Sequence, residues 1–208
     1  MPEILKPYVV FEDEVNGEEI LKRLEKYGRV CYKSEDKIAP GTAQKLLAAI
    51  IQRGHESVLE HEKVTVRFVC DRGVTHELVR HRIASYSQES TRYCNYRTKG
   101  VRVIEPIFYL GEGNKTKYEE WLEAMLDAER HYLRLLELGS TPQEARTVLP
   151  NSLKTEIVVT FNIREWRHFF KLRCSKAAHP QMRELTVPLL LQFQKKIPLL
   201  FDDIKADA

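Results

Sequence analysis

Residues 63 to 70 alternate in character. Val64, Val66, Phe68 and Cys70 fall on one parity, and Lys63, Thr65 and Arg67 on the other. A side-chain period of two with one apolar face describes a strand laid against a core. A second apolar run, Ile157 to Phe161, reads as a buried strand, and Pro7 to Phe11 and Val101 to Ile104 as shorter ones. Helical patterns lie between them, which excludes an all-helical or an all-β chain. The expectation is a mixed α+β fold, one domain over residues 1–208, with a central sheet and long helices.

The helix signals are local. Asn16 precedes an amphipathic run through Ile20, Leu21, Leu24 and Tyr27, and Gly28 stands where a left-handed stop belongs. A second helix starts at about Thr42, carries Leu46, Leu47, Ile50 and Ile51, and ends at Gly54. Asp71 caps a short helix that ends near Arg80. Thr116 and Glu119 form the pattern of a capping box before Tyr118, Trp121, Leu122, Met125, Leu126, Tyr132, Leu133 and Leu136, with Gly139 closing the helix. Thr141-Pro142-x-Glu144 is a second such box, with proline at the favoured first position. Asn162-x-x-Glu165 opens a helix bearing Trp166, Phe169 and Phe170, and a last helical segment runs from about Gln181 to Asp203, kinked or begun by Pro188. Residues 83–100 have no sustained period and read as an ordered loop with a little strand. No repeat or low-complexity tract interrupts the chain.

Cys31, Cys70, Cys94 and Cys174 form no Cys-x-x-Cys pair, so reduced thiols are expected rather than a disulfide framework. No apolar run approaches the length of a membrane span, and Met1 to Phe11 has no signal-peptide pattern. A cytoplasmic protein without membrane partners is expected.

Charge is uneven. Residues 80–102 hold Arg80, Arg82, Arg92, Arg97, Lys99 and Arg102 against the single acid Glu89, in a chain whose formal net charge is only +3. Tyr86, Tyr93 and Tyr96 and several hydroxyl residues are interleaved. Guanidinium groups bind phosphate through paired hydrogen bonds and stay charged at any working pH. Tyrosine rings stack on flat rings. The segment therefore suits a ligand that is phosphorylated and planar. An RNA or single-strand binding module would use the same ingredients and is the alternative; a plain solvated surface loop is the bland one.

Arg80-His81-Arg82, seven residues, Ser90 and then Arg92 have the spacing of the flavin-dependent thymidylate synthase signature, standing here as RHRIASYSQESTRY. GHESVLEH, residues 54–61, resembles that family's upstream His-x-x-x-x-Glu-His element. Ala145 to Pro150 resembles its Arg-x-x-Leu-Pro element, and Asn162, Arg164, Leu172-Arg173 and His179 resemble its C-terminal site segment. The resemblance covers roughly residues 50–185. It implies a homotetramer with active sites shared between subunits that converts dUMP to dTMP. Methylenetetrahydrofolate would donate the carbon, and FAD reduced by NADPH the hydride.

Carried across residue by residue, the resemblance implies FAD contacts from His55, Ser57, Arg80, His81, Arg82, Gln88, Asn162, Arg164 and His168. It implies dUMP contacts from Glu77, Arg80, Gln88, Glu89, Ser90, Thr91, Arg92, Arg146 and Arg173, with Arg146 reaching in from another chain. Arg173 would be the catalytic cation that stabilises the ionised N3 of the uracil. His168 stands where many members have asparagine, and Gln88-Glu89 where Glu-Leu is common. No Gly-x-Gly-x-x-Gly fingerprint is present, so arginines and loop backbone would hold the cofactor.

Other readings of single residues are blander. Ser90 has no adjacent base and reads as a contact rather than a nucleophile. Cys94 reads as structural. The histidines match no metal-binding spacing, so no metal is expected.

Overall fold

The computed structural model describes residues 1–207. In chain order the elements are β1 (Glu3–Leu5), β2 (Tyr8–Phe11), α1 (Gly17–Val30), α2 (Thr42–Gln52), β3 (Lys63–Asp71), α3 (Arg72–Leu78), β4 (Ala84–Gln88), β5 (Arg102–Ile104), α4 (Lys115–Glu137), α5 (Pro142–Ala145), β6 (Lys154–Asn162), α6 (Ile163–Arg173), α7 (Pro180–Lys196) and α8 (Pro198–Phe201). The fold is mixed α/β. A four-stranded sheet has the order β2-β3-β6-β4, and β1 pairs in parallel with β5.

The chain divides into two compact units, and β3, β4 and β6 each run from one into the other. The first unit comprises residues 1–8, 68–80 and 87–158. Its core gathers Val101 and Val103 with Met125, Tyr132 and Leu136 of α4. The second comprises residues 9–67, 81–86 and 159–207. Its core is aromatic: Phe161, Trp166, Phe169, Phe170, Phe193 and Phe201 are all fully buried. Trp166 lies 4.6 Å from Phe161 and 5.0 Å from Phe193, ring centre to ring centre. Burying each such ring stabilises by about 1.5–3 kcal/mol.

On β3 the alternation holds through Phe68, and then Val69 and Asp71 are buried as well as Cys70, so its end is covered on both faces. Asp71 caps α3 by accepting from Val74 N at 2.7 Å. The box at Thr141 forms as expected, with Glu144 Oε2 accepting from Thr141 N at 2.7 Å.

Two expectations fail, and a third loses one of its alternatives. Gly28 does not stop α1, which runs on to Val30. It is buried, and a Cβ there would meet Leu46 and Ile50 of α2 at 3.5 Å, an ordinary packing contact, so the position belongs to the helix interior facing α2. The left-handed residue that follows the helix is Lys33, with φ 46°. Thr116 and Glu119 do not cap α4, because the helix already begins at Lys115 behind Asn114. Pro188 does not begin the last helix: Pro180 does, and Pro188 sits inside it.

Gly17 is fixed by contact rather than by backbone angle. A Cβ there would lie 2.1 Å from the carbonyl oxygen of Lys196 at the end of α7. No rotamer relieves a clash with backbone. Gly17→Ala is expected to cost about 1–3 kcal/mol, read as a lower urea midpoint with an unchanged m value.

Candidate functional site

In the second unit β6 passes into α6 without a loop, and Asn162 is the joint. Its Oδ1 accepts from Glu165 N at 2.8 Å, which closes the first helical turn. The same turn then projects Arg164 outward, while Glu165 is buried and His168 lies one turn on, exposed.

His81 enters from the segment before β4 and is 4% exposed. Its Nδ1 lies 2.8 Å from Glu165 Oε1, and its Nε2 receives the Nε–H of Arg173 at 3.1 Å. An arginine nitrogen can only donate. Nε2 therefore carries the lone pair and Nδ1 the proton, which it gives to Glu165. The ring sits 5.0 Å from Phe169, 5.6 Å from His168 and 5.9 Å from Phe161. Tyr86 donates its hydroxyl to the His81 carbonyl at 2.6 Å. Both ring nitrogens of His81 are thus committed inside the protein.

Burial drives the His81 pKa down, the Glu165 bond pushes it back up, and the Arg173 charge lowers it again; the net direction is below the ordinary 6.5. The folded state therefore binds fewer protons than the unfolded chain in this range. The stability that His81 contributes is complete above about 6.5 and is lost as the pH falls through the lowered folded value. The urea midpoint of the protein is expected to drop between about pH 7 and pH 5, and to drop less in His81→Asn. Equal slopes in the two proteins would remove His81 as the cause.

A cleft of about 450 Å³ opens beside this cluster, lined by Asn162, Glu165 and His168 together with Arg164, Lys171 and Ile83. Such volumes hold small ligands. Glu56 and Glu60 also line it, but neither is an idle negative charge. Glu60 is paired to Arg164 at 2.5 Å, and Glu56 to the buried Arg167 at 3.2 Å. Glu56–His61 forms a 3₁₀ turn against α6, with His55 and Ser57 exposed at its head. Arg82 is exposed beside Ile83, a side chain that is 67% exposed.

The first unit carries the other expected residues. Gln88 is held by two hydroxyls: its Nε2 donates to Thr75 Oγ1 at 3.1 Å and to Thr155 Oγ1 at 3.4 Å. Glu89 Oε1 accepts from the Tyr96 hydroxyl at 2.8 Å, and its Oε2 from Lys154 Nζ at 3.2 Å. Burial and the neighbouring Glu89 carboxylate raise the Tyr96 pKa, so the phenol stays a donor. Ser90 begins a turn in which its carbonyl accepts from Tyr93 N and Cys94 N. Thr91 is buried and accepts from Arg146 Nη1 at 3.2 Å. Arg92 is exposed over the ring of Tyr93, 5.4 Å from its centre. Glu77 is half-buried in α3, and Arg80 is exposed just after it.

The basic segment is therefore not one uniform surface. Arg97 caps α4 by donating to the Leu136 carbonyl at 2.7 Å, and Arg102 is half-buried in β5. Among the described residues the Arg80 and Arg82 side chains have no acid partner, and neither does Arg92.

Sequence reasoning missed Glu165, Glu60, Ile83 and Lys154 as members of these clusters. Glu165 had been noticed only as part of a cap pattern. The ligand atoms of His81, Glu165 and His168 fall within 4.8 Å of one another. A dication there would have to displace the Arg173 bond and sit beside its charge, so the group reads as a hydrogen-bonded cluster.

The model of the family described as "Thymidylate synthase complementing protein" matches residues 16–199. A flavin-dependent thymidylate synthase of Geobacter sulfurreducens is 38% identical over 183 residues, covering 84% of this chain and 78% of its own. One from Pyrococcus furiosus is 37% identical over 183 residues, covering 86% and 72%. Among solved structures, the UMP/dUMP methylase PolB from Streptomyces cacaoi bound with 5-Br dUMP has a similar fold. Its TM-score is 0.80 at 24% identity, over 96% of this chain and 95% of that one.

Proposed function

Because the chain belongs to the family of flavin-dependent thymidylate synthases, we propose that it converts dUMP to dTMP in the cytoplasm, with methylenetetrahydrofolate as carbon donor, as a homotetramer whose subunits share active sites. The observation that carries this reading is the state of the Arg80-His81-Arg82 run: buried histidine locked to Glu165 and Arg173, flanked by two exposed arginines without acid partners.

These residues fit FAD. Its pyrophosphate is an anion, and Arg80 and Arg82 are cations with nothing internal to neutralise them. Asn162, Arg164 and His168 line an open cleft next to the exposed apolar side chain of Ile83, suited to a flat ring with polar edges. Bound FAD, reduced by NADPH, would supply the hydride of the reaction.

The chain's own residues bind and orient. Ser90, Thr91 and Arg92 offer hydroxyls, turn N–H groups and a guanidinium to the nucleotide phosphate. Gln88 presents an amide already oriented by two threonines. Glu89 holds the start of this turn in place, its carboxylate engaged by Tyr96 and Lys154 and its N–H donating to the Glu156 carbonyl at 2.9 Å, and would meet dUMP through its carbonyl. Arg146, held by Thr91 of its own chain at 3.2 Å, would reach the dUMP bound by a neighbouring subunit. Arg173 keeps a positive charge against the uracil as N3 becomes anionic, which lowers the barrier more than it strengthens ground-state binding.

The purified protein is expected to show the visible bands of oxidised flavin, and to oxidise NADPH only when dUMP is present, with dTMP formed. Colourless protein that cannot be reconstituted with FAD would defeat the proposal. Arg92→Lys is expected to weaken dUMP binding about tenfold, because a point charge cannot reproduce a two-pronged guanidinium contact. Titration of the flavin spectrum with dUMP measures it, and an unchanged Kd would take Arg92 off the phosphate.

A further inference from the structure

The unexplained group in the site is Glu165. It is buried, it faces the cleft, and it ends on His81 rather than on any surface cation. We propose that Glu165 is a positioning residue for the reaction: by accepting Nδ1–H it holds His81 in the tautomer whose Nε2 lone pair receives Arg173 Nε–H, and so fixes the direction in which the guanidinium meets the pyrimidine. The inference rests on the reading of Arg173 given above.

The geometry carries it in three steps. Imidazole has two neutral tautomers of similar energy, and the partner of one nitrogen decides the state of the other. Glu165, at 2.8 Å from Nδ1, selects Nδ1–H. The opposite tautomer would set Nε2–H against the Arg173 Nε–H 3.1 Å away, two donors facing each other. The surroundings hold the ring in place. Phe161 and Phe169 border it, and the Tyr86 hydroxyl fixes the His81 carbonyl. The backbone of Arg173 is held as well, since Thr186 Oγ1 donates to its carbonyl at 2.9 Å. Main chain and Nε are thus both anchored. The His81 pKa, lowered by burial, keeps the ring neutral near neutral pH, as the Nε2 acceptor requires.

The test is a double-mutant cycle in the flavin-loaded enzyme. Glu165→Gln keeps the volume but removes the charge, and its amide accepts Nδ1–H in one orientation and donates to Nδ1 in the other, so the hold on the tautomer is weakened. The expected result is a loss in kcat of about tenfold with the KM for dUMP within about twofold. Arg173→Lys retains a cation but has no Nε–H, so in that background Glu165→Gln should cost nothing further. Two results overturn the inference alone: kcat within about twofold of wild type in Glu165→Gln, or the same fractional loss in both backgrounds, the mark of a merely structural role. Full turnover in Arg173→Lys would instead overturn the reading of Arg173 and the inference with it. If Glu165→Gln does not fold, Glu165→Asp, which withdraws the carboxylate by one methylene, takes its place under the same criteria.

Discussion

Arg173→Ala is expected to lower turnover by about 10²–10³-fold, the usual cost of deleting one preorganised group that meets developing charge. FAD content should change far less. Arg173 sits at the end of α6, held through Nε by His81 and through its carbonyl by Thr186. A side chain held in this way needs little reorganisation as charge appears on the pyrimidine, and water admitted in its place would have to reorient. The measurement is dTMP formation at saturating dUMP beside the flavin absorbance per subunit. Parallel losses in the two would mean that Arg173 holds the cofactor rather than the uracil. A melting temperature well below wild type would assign the loss to folding.

The second large effect is on stability. Arg167→Ala is expected to destabilise the protein by about 3 kcal/mol, toward the lower end of what deleting one member of a buried ion pair costs. The Arg167 side chain is 1% exposed and binds both oxygens of Asp203, at 2.8 and 2.7 Å. It also reaches Glu56 at 3.2 Å and the carbonyl of Leu200. One guanidinium therefore joins α6, the 3₁₀ turn and the end of α8. Deletion leaves the Leu200 carbonyl without this donor and opens a void, while Asp203 and Glu56 regain some water. In a chain of this length the melting temperature should fall by about 6–12 °C. Arg167→Met should lose less, since it fills the space. The bond from Arg167 also holds the Asp203 carboxyl below the usual carboxylate range. A depressed acid contributes stability above its unfolded pKa and forfeits it as pH falls through the folded one. Acid sensitivity in that range should therefore shrink in Arg167→Ala, and an unchanged acid limb would exclude the pair as its source.

Some of this was legible in the amino-acid order and some was not. Asn162 with Glu165 three residues on, Thr141 with Glu144, and the alternation through Phe68 rest on contacts within a few residues, and the structure reproduces them. The little strand expected somewhere in residues 83–100 is β4, but Ala84-Ser-Tyr-Ser-Gln88 carries no apolar period to fix its bounds, and its pairing with β6 is a long-range fact that no local pattern announces. Gly28 misled for the opposite reason. Glycine signals a helix stop by its backbone freedom, but here it is an ordinary helical residue covered by Leu46 and Ile50, and only the position of α2 reveals that. Among the candidate site residues, those of the Arg-His-Arg run could be named from the resemblance to the family signature. Glu165 and Arg167 could not. In Asn162-Ile-Arg-Glu-Trp-Arg-His168 the charged positions look like a solvated face, yet Glu165 and Arg167 are both buried, each paid for by a partner more than thirty residues away.

β4 also gives the seven residues between Arg82 and Ser90 a structural meaning. Along the strand Ser85 and Ser87 are exposed, while Ala84, Tyr86 and Gln88 are half-covered. Adding or removing one residue would swap the odd and even sets, turning Gln88 away from Thr75 and Thr155 and setting a serine in its place. A change of two would shift the chain but preserve the parity. Ser90 and Arg92 would then stand about 6–7 Å further along relative to His81, so the seven-residue gap fixes both which face Gln88 presents and how far the turn lies from the Arg-His-Arg run.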